Sequence, residues 1–513
     1  MDFLLLNESY RIFGIGILSI LIFLPVLGSL ILLFLNNDEV AKYFALLVTL
    51  IMAALSLPIY QGFDITTAKY QFGEHVTWFS TLDINYTLGI DGISLLLILM
   101  TTLLMPLCVL CSWKYIQKRV KEFMIMILIM EASMLGVFMA LDFVLFYIFW
   151  EAMLIPMYLL IAIWGGPRKT YASIKFFLYT LAGSVMLLVA IIALYLANDP
   201  HTFSIPQMMG QGYGSGFQFW VFLAFFLAFA IKVPMFPFHT WLPAAHVEAP
   251  TAGSVVLASV LLKMGTYGFL RFCLPITPEA TFTFMPYVLW LSVCGILYGG
   301  FTALAQSDMK KLVAYSSVGH MGFVTLGIFV LNVQGIEGAI LQMINHGVTT
   351  GALFICVGMI YERTHSRELA LSTGVGRFMP IFVMFLGFFS LSSLAFPGTN
   401  SFVGEFLILA GGFAENKTIT AFAIPGAILA AAYMFRMLQK VVWGGTDNPD
   451  QSYLTDLSLR EIITLAPLLV FVFWIGLAPA PFLDVMHASV NHLLEQVNAA
   501  APASMNMAAA ILP

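Results

Sequence analysis

About fourteen runs of roughly 20 apolar residues divide this chain, and no other feature limits its fold so tightly. A helix rising about 1.5 Å per residue needs that length to cross the hydrocarbon core, and it satisfies its own backbone amides on the way. The runs lie at about 14–36, 40–60, 91–112, 122–141, 143–165, 172–197, 217–240, 252–272, 282–305, 311–331, 335–361, 379–413, 419–442 and 461–483. Of the 513 residues, 60% are hydrophobic and only 10% charged, too few polar groups to cover a water-soluble particle of this length. Lipid must therefore solvate most side chains, and the expected fold is an all-α polytopic membrane protein. The opening MDFLLLNESYRIF carries Asp2 and Glu8 and no basic leading segment, so it does not read as a cleaved signal peptide.

Basic residues orient the spans. The loops after odd-numbered spans, with the span ends beside them, hold Lys42, Lys114, Lys118, Arg119, Lys121, Arg168, Lys169, Lys175, Lys310, Lys311, Arg363, Arg367, Arg377, Arg436, Lys440 and Arg460, which is 16 of the 22 lysines and arginines. The opposite side receives Arg11, Lys69, Arg271 and Lys417, and only Lys232 and Lys263 lie deep within spans. By the positive-inside rule the richer side is cytoplasmic, so both termini face outward.

Two spans look broken inside the membrane. The seventh contains Pro234 and Pro237, and the twelfth is too long for one crossing and contains Pro397-Gly398-Thr399. The breaks are five spans apart. A repeat with an odd number of helices must lie inverted relative to its copy, so spans 4–8 and 9–13 are expected to be inverted repeats, an architecture common in transporters. The expected units are 1–120 (spans 1–3), 121–275 (the first repeat), 276–445 (the second) and 446–513 (span 14 and a tail).

Ionisable residues at mid-membrane depth are costly and usually face a polar interior, so they are read as functional candidates. Glu151 lies in FVLFYIFWEAMLIPMYLL, Lys232 follows the charge-free FQFWVFLAFFLAFAI, Lys263 is central in SVVLASVLLKMGTYGFL, and Glu405 lies in FPGTNSFVGEFLILAGG just past a break. The alternative is a structural ion pair or snorkelling to the interface. Snorkelling suits a residue one or two turns from a helix end and is hard for Lys232 and Lys263. A Glu151–Lys232 pair remains open to both readings, structural bridge or switch. Burial disfavours a lysine's charge and a nearby carboxylate restores it, so a movable partner makes a lysine a switchable proton donor.

His320 in SSVGHMGF and His346 in QMINHGVTTG are central to successive spans. A lone buried histidine is more often a packing residue, yet two of them between Lys263 and Glu405 can relay protons. Glu131, in MIMILIMEASMLGVF, is also mid-span and equally suited to bonding a neighbouring helix. His239 and His246 flank Trp241 in HTWLPAAHVEAPT and are expected to order that turn, and Lys310 and Lys311 to anchor their span at the surface. No carboxylate and histidine ligands recur at helical spacing within one span, so no metal site is expected. Cys108 and Cys111 form a C-x-x-C without a second pair, and all five cysteines sit in apolar stretches as small packing residues. No Gly-rich nucleotide loop is present, and neither a cofactor nor nucleic-acid binding is expected.

AIKVPMFPFHTWLPAAHVEAPTAGSVVLASVLLKMGTYGFLRF, FWEAMLIPMYLLIAIWGG, AYSSVGHMGF and PGTNSFVGEF together resemble the antiporter-like subunits of respiratory complex I. The motifs span about 143–413, and length and hydropathy extend the likeness across nearly the whole chain. The resemblance is to the branch without a long lateral helix. Subunits of multisubunit sodium/proton antiporters and of membrane-bound hydrogenases share the lysines and stay as the alternative. The resemblance implies fourteen helices with two inverted five-helix repeats. It also implies proton-translocating roles for Glu151, Lys232, Lys263 and Glu405, with connecting roles for His320 and His346, while Glu131 matches no family motif. The implied setting is a bacterial inner membrane, with other membrane-arm subunits of NADH:quinone oxidoreductase on both sides. Redox chemistry would then occur in other chains, and this one would carry protons from cytoplasm to periplasm.

Overall fold

The structure, a computed structural model, describes residues 3–5, 10–12, 14–369, 374–443 and 454–499. Its helices follow the apolar runs: α1 (Ile17–Phe34), α2 (Asp38–Gln61), α3 (Gly92–Ser112), α4 (Val120–Met139), α5 (Phe143–Trp164) and α6 (Lys169–Ala197). The seventh, α7, is two pieces, Ser215–Lys232 and Trp241–Glu248. Then come α8 (Thr251–Ile276), α9 (Pro278–Ala305), α10 (Met309–Phe329) and α11 (Val333–Thr364). The twelfth, α12, is again two pieces, Pro380–Ser393 and Asn400–Glu415. α13 (Lys417–Trp443) and α14 (Leu459–Leu477) complete the set. Among the described residues, 13 helices are long and apolar enough to cross a membrane, and the first piece of α12 is a shorter apolar one.

Both breaks fall at the prolines. After Lys232 the chain passes Pro234 and Pro237, which offer no amide to continue the helical ladder, before a new helix starts at Trp241. In α12 the break holds Gly398 at φ +89°, a conformation glycine adopts without steric cost. α14 packs directly on it: a β-carbon on Gly476 would lie 2.6 Å from the Thr399 carbonyl carbon. α8 is continuous, but five-residue π turns at Leu257–Leu261 and Phe269–Cys273 flank its centre. Such turns free backbone carbonyls, and they often mark functional sites.

Two larger features lie outside the spans expected from sequence. Between α2 and α3 a β-hairpin pairs β1 (Gln71–Phe79) with β2 (Ile84–Ile90), antiparallel, so the chain is not wholly helical. Its Glu74 carboxylate accepts the Leu18 and Ser19 amides at 2.8 and 3.1 Å, which ties the hairpin to the first turn of α1. Beyond α14, which stops before Pro479, a further helix α15 (Ala480–Ala499) lies against the bundle. Phe482, Val485, Met486, Ser489, Val490, Leu493, Leu494 and Val497 form its buried face, at the spacing of one helical stripe. Span 14 is therefore shorter than the expected 461–483. The small-residue tail from 500, and residues 444–453 where the fourth unit was expected to begin, lie outside the described residues.

At the basic end of the bundle, α11 is bolted to α14. Arg363 Nη1 and Nη2 each donate at 2.9 Å to the two oxygens of Glu461, which also accepts from Ser458 at the start of α14. Removing one partner strands a charge with little water to solvate it. Arg363→Ala is expected to cost about 3–5 kcal/mol, and Arg363→Met with Glu461→Met to recover most of it. Thermal unfolding of the detergent-solubilised complex measures both.

Candidate functional site

Four of the mid-span residues meet. Beside the first π turn of α8, Lys263 Nζ donates to the Ala258 carbonyl at 2.5 Å and reaches His346 Nδ1 on α11 at 2.6 Å. The His346 ring centre lies 5.7 Å from that of His320 on α10. His320 Nδ1 is 3.0 Å from Glu405 Oε1, on the second piece of α12. Lys263, His346, His320 and Glu405 are 0, 2, 4 and 3% exposed, so neither lipid nor bulk water solvates them. Groups this deep hold charge only through one another and through fixed dipoles.

Uncharged polar groups that the sequence did not single out complete the row. Gln342 Nε2 donates to Glu405 Oε1 at 3.0 Å, and Ser393 Oγ and Tyr433 Oη sit 3.3 and 3.4 Å from His320 Nε2. The break in α12 supplies more. Asn400, at the start of its second piece, accepts from Ser392 Oγ at 2.5 Å, and its carbonyl takes the Asn345 amide at 2.8 Å. The row is built into a close-packed helix seam, because a β-carbon on Gly338 of α11 would lie 2.8 Å from the Ile408 amide nitrogen of α12. That backbone approach sets Gln342 against Glu405.

Lys232 and Glu151 are placed differently. Lys232, at the end of the first piece of α7, is 2% exposed. Its Nζ lies 3.4 Å from Met153 Sδ and 4.9 Å from the centre of the Trp150 ring, an ammonium held over an aromatic face. Glu151 is half-buried, and its Oε1 has no hydrogen-bond partner among the described residues. The pair is thus not closed into a salt bridge within 4.0 Å. α5, which carries Glu151, is fixed at its other end by Asp142, whose carboxylate accepts the Asn85, Val144 and Leu145 amides. Burial pushes the Asp142 carboxyl up to about 6 in spite of those three bonds.

Glu131 is fully buried on α4, with neither carboxylate oxygen partnered among the described residues, and no hydrogen bond joins it to the row. The turn histidines correct the sequence-based expectation. His246 is completely buried, stacks 4.5 Å from the Phe354 ring, and has no partner for either ring nitrogen among the described residues, so it orders no turn through its ring. Lys310, expected as a surface anchor, is buried and donates to the Ala249 carbonyl at 2.6 Å. His239 is buried with Nδ1 unpartnered, its ring 4.8 Å from Tyr298, and Lys311 stays nearer the surface. Proximity to Pro237, Pro243 and Pro250 hid the placement of His239 and His246 in the sequence, since a polar residue beside a break serves equally well as a turn former. No group of three or more potential metal ligands occurs among the described residues.

Residues 140–430 match the family described as NADH:quinone oxidoreductase/Mrp antiporter, TM. The chain is 46% identical to NADH-quinone oxidoreductase subunit M of Rhodobacter capsulatus, over 94% of this chain and 97% of that one. It is also 46% identical to NADH-ubiquinone oxidoreductase chain 4 of Arabidopsis thaliana, over 93% and 97%. A chain in the solved structure of respiratory complex I from Thermus thermophilus with bound NADH shares the fold at TM-score 0.86 and 30% identity, covering 94% of this chain and 99% of that one.

Proposed function

The chain belongs to the NADH:quinone oxidoreductase/Mrp antiporter membrane-subunit family, and on that premise we propose that its buried row is a proton wire running Lys263–His346–His320–Glu405. It is a proton-translocating subunit of the membrane arm of NADH:quinone oxidoreductase, and its partners are the other subunits of that complex. The observation that carries the wire is the 2.6 Å contact between Lys263 Nζ and His346 Nδ1. A lysine that donates there leaves the hydrogen of a neutral imidazole on Nε2, the atom without a partner. Taking a proton at Nδ1 and releasing one from Nε2 moves charge one step towards His320, whose Nδ1 already contacts the Glu405 carboxylate.

The entrance is at the basic end, which the 16 basic residues mark as cytoplasmic, with both termini periplasmic and the membrane a bacterial inner membrane. Lys310 and His246 offer the first acceptors on the way to Lys263. Lys232 with Glu151 is the control element: with the carboxylate withdrawn, as here, the ammonium rests on Trp150, and approach of the carboxylate raises its proton affinity. Pumping against 100 mV costs about 2.3 kcal/mol per charge, and a swing of about two pKa units supplies about 2.7 kcal/mol. Glu131 is a side store of lower rank. The chain holds no cofactor and no redox site of its own, and electrons pass through other subunits. Residues 121–275 and 276–445 are the two inverted copies that place one broken helix on each side of the wire, between 1–120 and 446–513.

Proton pumping by sealed vesicles tests this reading. Glu151→Ala and Lys232→Ala in the assembled complex are expected to lower the protons moved per NADH. A normal ratio in both contradicts the control element, and sodium-dependent exchange without NADH favours a sodium/proton antiporter instead.

A further inference from the structure

Lys263 shares α8 with a second buried cation, Arg271, which lines a surface cavity. Arg271 lies eight residues further along α8, about 12 Å away at 1.5 Å per residue, towards the end opposite the basic loops. There a cavity of about 380 Å³, with Lys69, Tyr70, Asp91, Arg271, Ser489 and His492 among its lining, reaches in from the surface, where Lys69 and His492 are exposed. Its polar floor is a buried ion pair: Arg271 Nη2 donates to Asp91 Oδ1 at 2.6 Å, and both residues are less than one-tenth exposed. Tyr267, one turn from Lys263 and one from Arg271, stands between the wire and this floor.

We propose that Arg271, clamped by Asp91 and the two tyrosines, is a proton barrier that keeps Lys263 from discharging directly into the outer cavity. The claim rests on the reading of Lys263 as a proton carrier. Each guanidinium nitrogen is committed: Nε to Tyr267 Oη at 3.3 Å, Nη1 to Tyr70 Oη at 3.0 Å, and Nη2 to Asp91. A guanidinium has no lone pair to take a proton and stays charged at any physiological pH, so it breaks a hydrogen-bonded chain. Tyr267 cannot bridge the gap either. Its hydroxyl hydrogen goes to the Phe138 carbonyl at 3.3 Å, and its oxygen already faces the cation. A proton arriving from either side meets a fixed positive charge, the device by which other pores exclude protons. Asp91 serves as positioning residue. It caps α3, accepts the Ser94 amide at 3.1 Å and holds the guanidinium across the path. With this exit shut, His346 is the acceptor left to Lys263 among its bonded partners, since the other is the Ala258 carbonyl.

The test is passive proton entry into vesicles holding the assembled complex, driven by an imposed potassium diffusion potential without NADH and read with an entrapped pH dye. Asp91→Asn with Arg271→Gln removes the barrier without stranding a charge and is expected to raise entry by about tenfold. Arg271→His, which places a proton-accepting ring in the path, should also leak, whereas Arg271→Lys should stay within about twofold of the parent. A purely structural anchor predicts poorer assembly and no leak. Assembled variants of either leaking kind that remain as tight as the parent overturn the proposal. Because the resting leak is measured apart from NADH-driven pumping, failure of the barrier and failure of the wire are told apart.

Discussion

A complex carrying Lys263→Met is expected to assemble, oxidise NADH with an artificial electron acceptor, and lose proton transfer through this chain by roughly 100-fold or more, the usual cost of deleting a positioned acid–base group. Methionine follows the lysine stem through the same volume, so the helix packing around α8 is kept. What disappears is the ammonium that joins the Ala258 carbonyl to His346. The Ala258 carbonyl loses this partner at a cost of about 1–3 kcal/mol, too little to unfold a bundle of this size. Acidification of inverted vesicles on addition of NADH reads the loss. Near-normal acidification would mean that protons bypass the 2.6 Å contact.

Glu405→Gln should produce a loss of the same order with even less disturbance. The amide has the shape of the carboxyl, and its oxygen can still accept from Gln342 and His320, so the seam between α11 and α12 keeps its register. It cannot carry a proton. Glu405→Asp, which retains the acid but pulls it back by one methylene from His320 at 3.0 Å, should retain part of the transfer. Recovery of pumping in the aspartate and not in the glutamine variant, with equal thermal stability, assigns the effect to the proton and not to packing.

The charges of this site were legible because the membrane makes them conspicuous. Lys263 and Glu405 interrupt apolar runs, and the prolines at 234, 237 and 397 showed where the helices end. Polar side chains without charge are tolerated in any span, so Gln342 and Tyr433, which contact Glu405 and His320, gave no signal, and neither did Asn345 and Asn400, which tie α11 to the break in α12. Arg271 counted as an outward-facing basic residue by its position near a span end, and only its contact with Asp91, 180 positions earlier in the chain, shows that it is buried. The Glu151–Lys232 pairing was readable as a proximity but not as a state, since the gap depends on the bend of α5 at Met153 and the rotamer over Trp150. The hairpin β1–β2 and α15 sit outside the spans, where a count of apolar runs is blind. The stripe Val485, Met486, Ser489, Val490, Leu493 was there to be seen as a 3.6-residue period.

The most direct measurement is the number of protons delivered per NADH by sealed vesicles bearing Lys263→Met, Glu405→Gln, and the two together. Residues in one wire act as a unit, so the double variant should deliver as many protons per NADH as either single one. A further drop in the double variant, equal to the sum of the separate losses, would show two independent routes and contradict the wire.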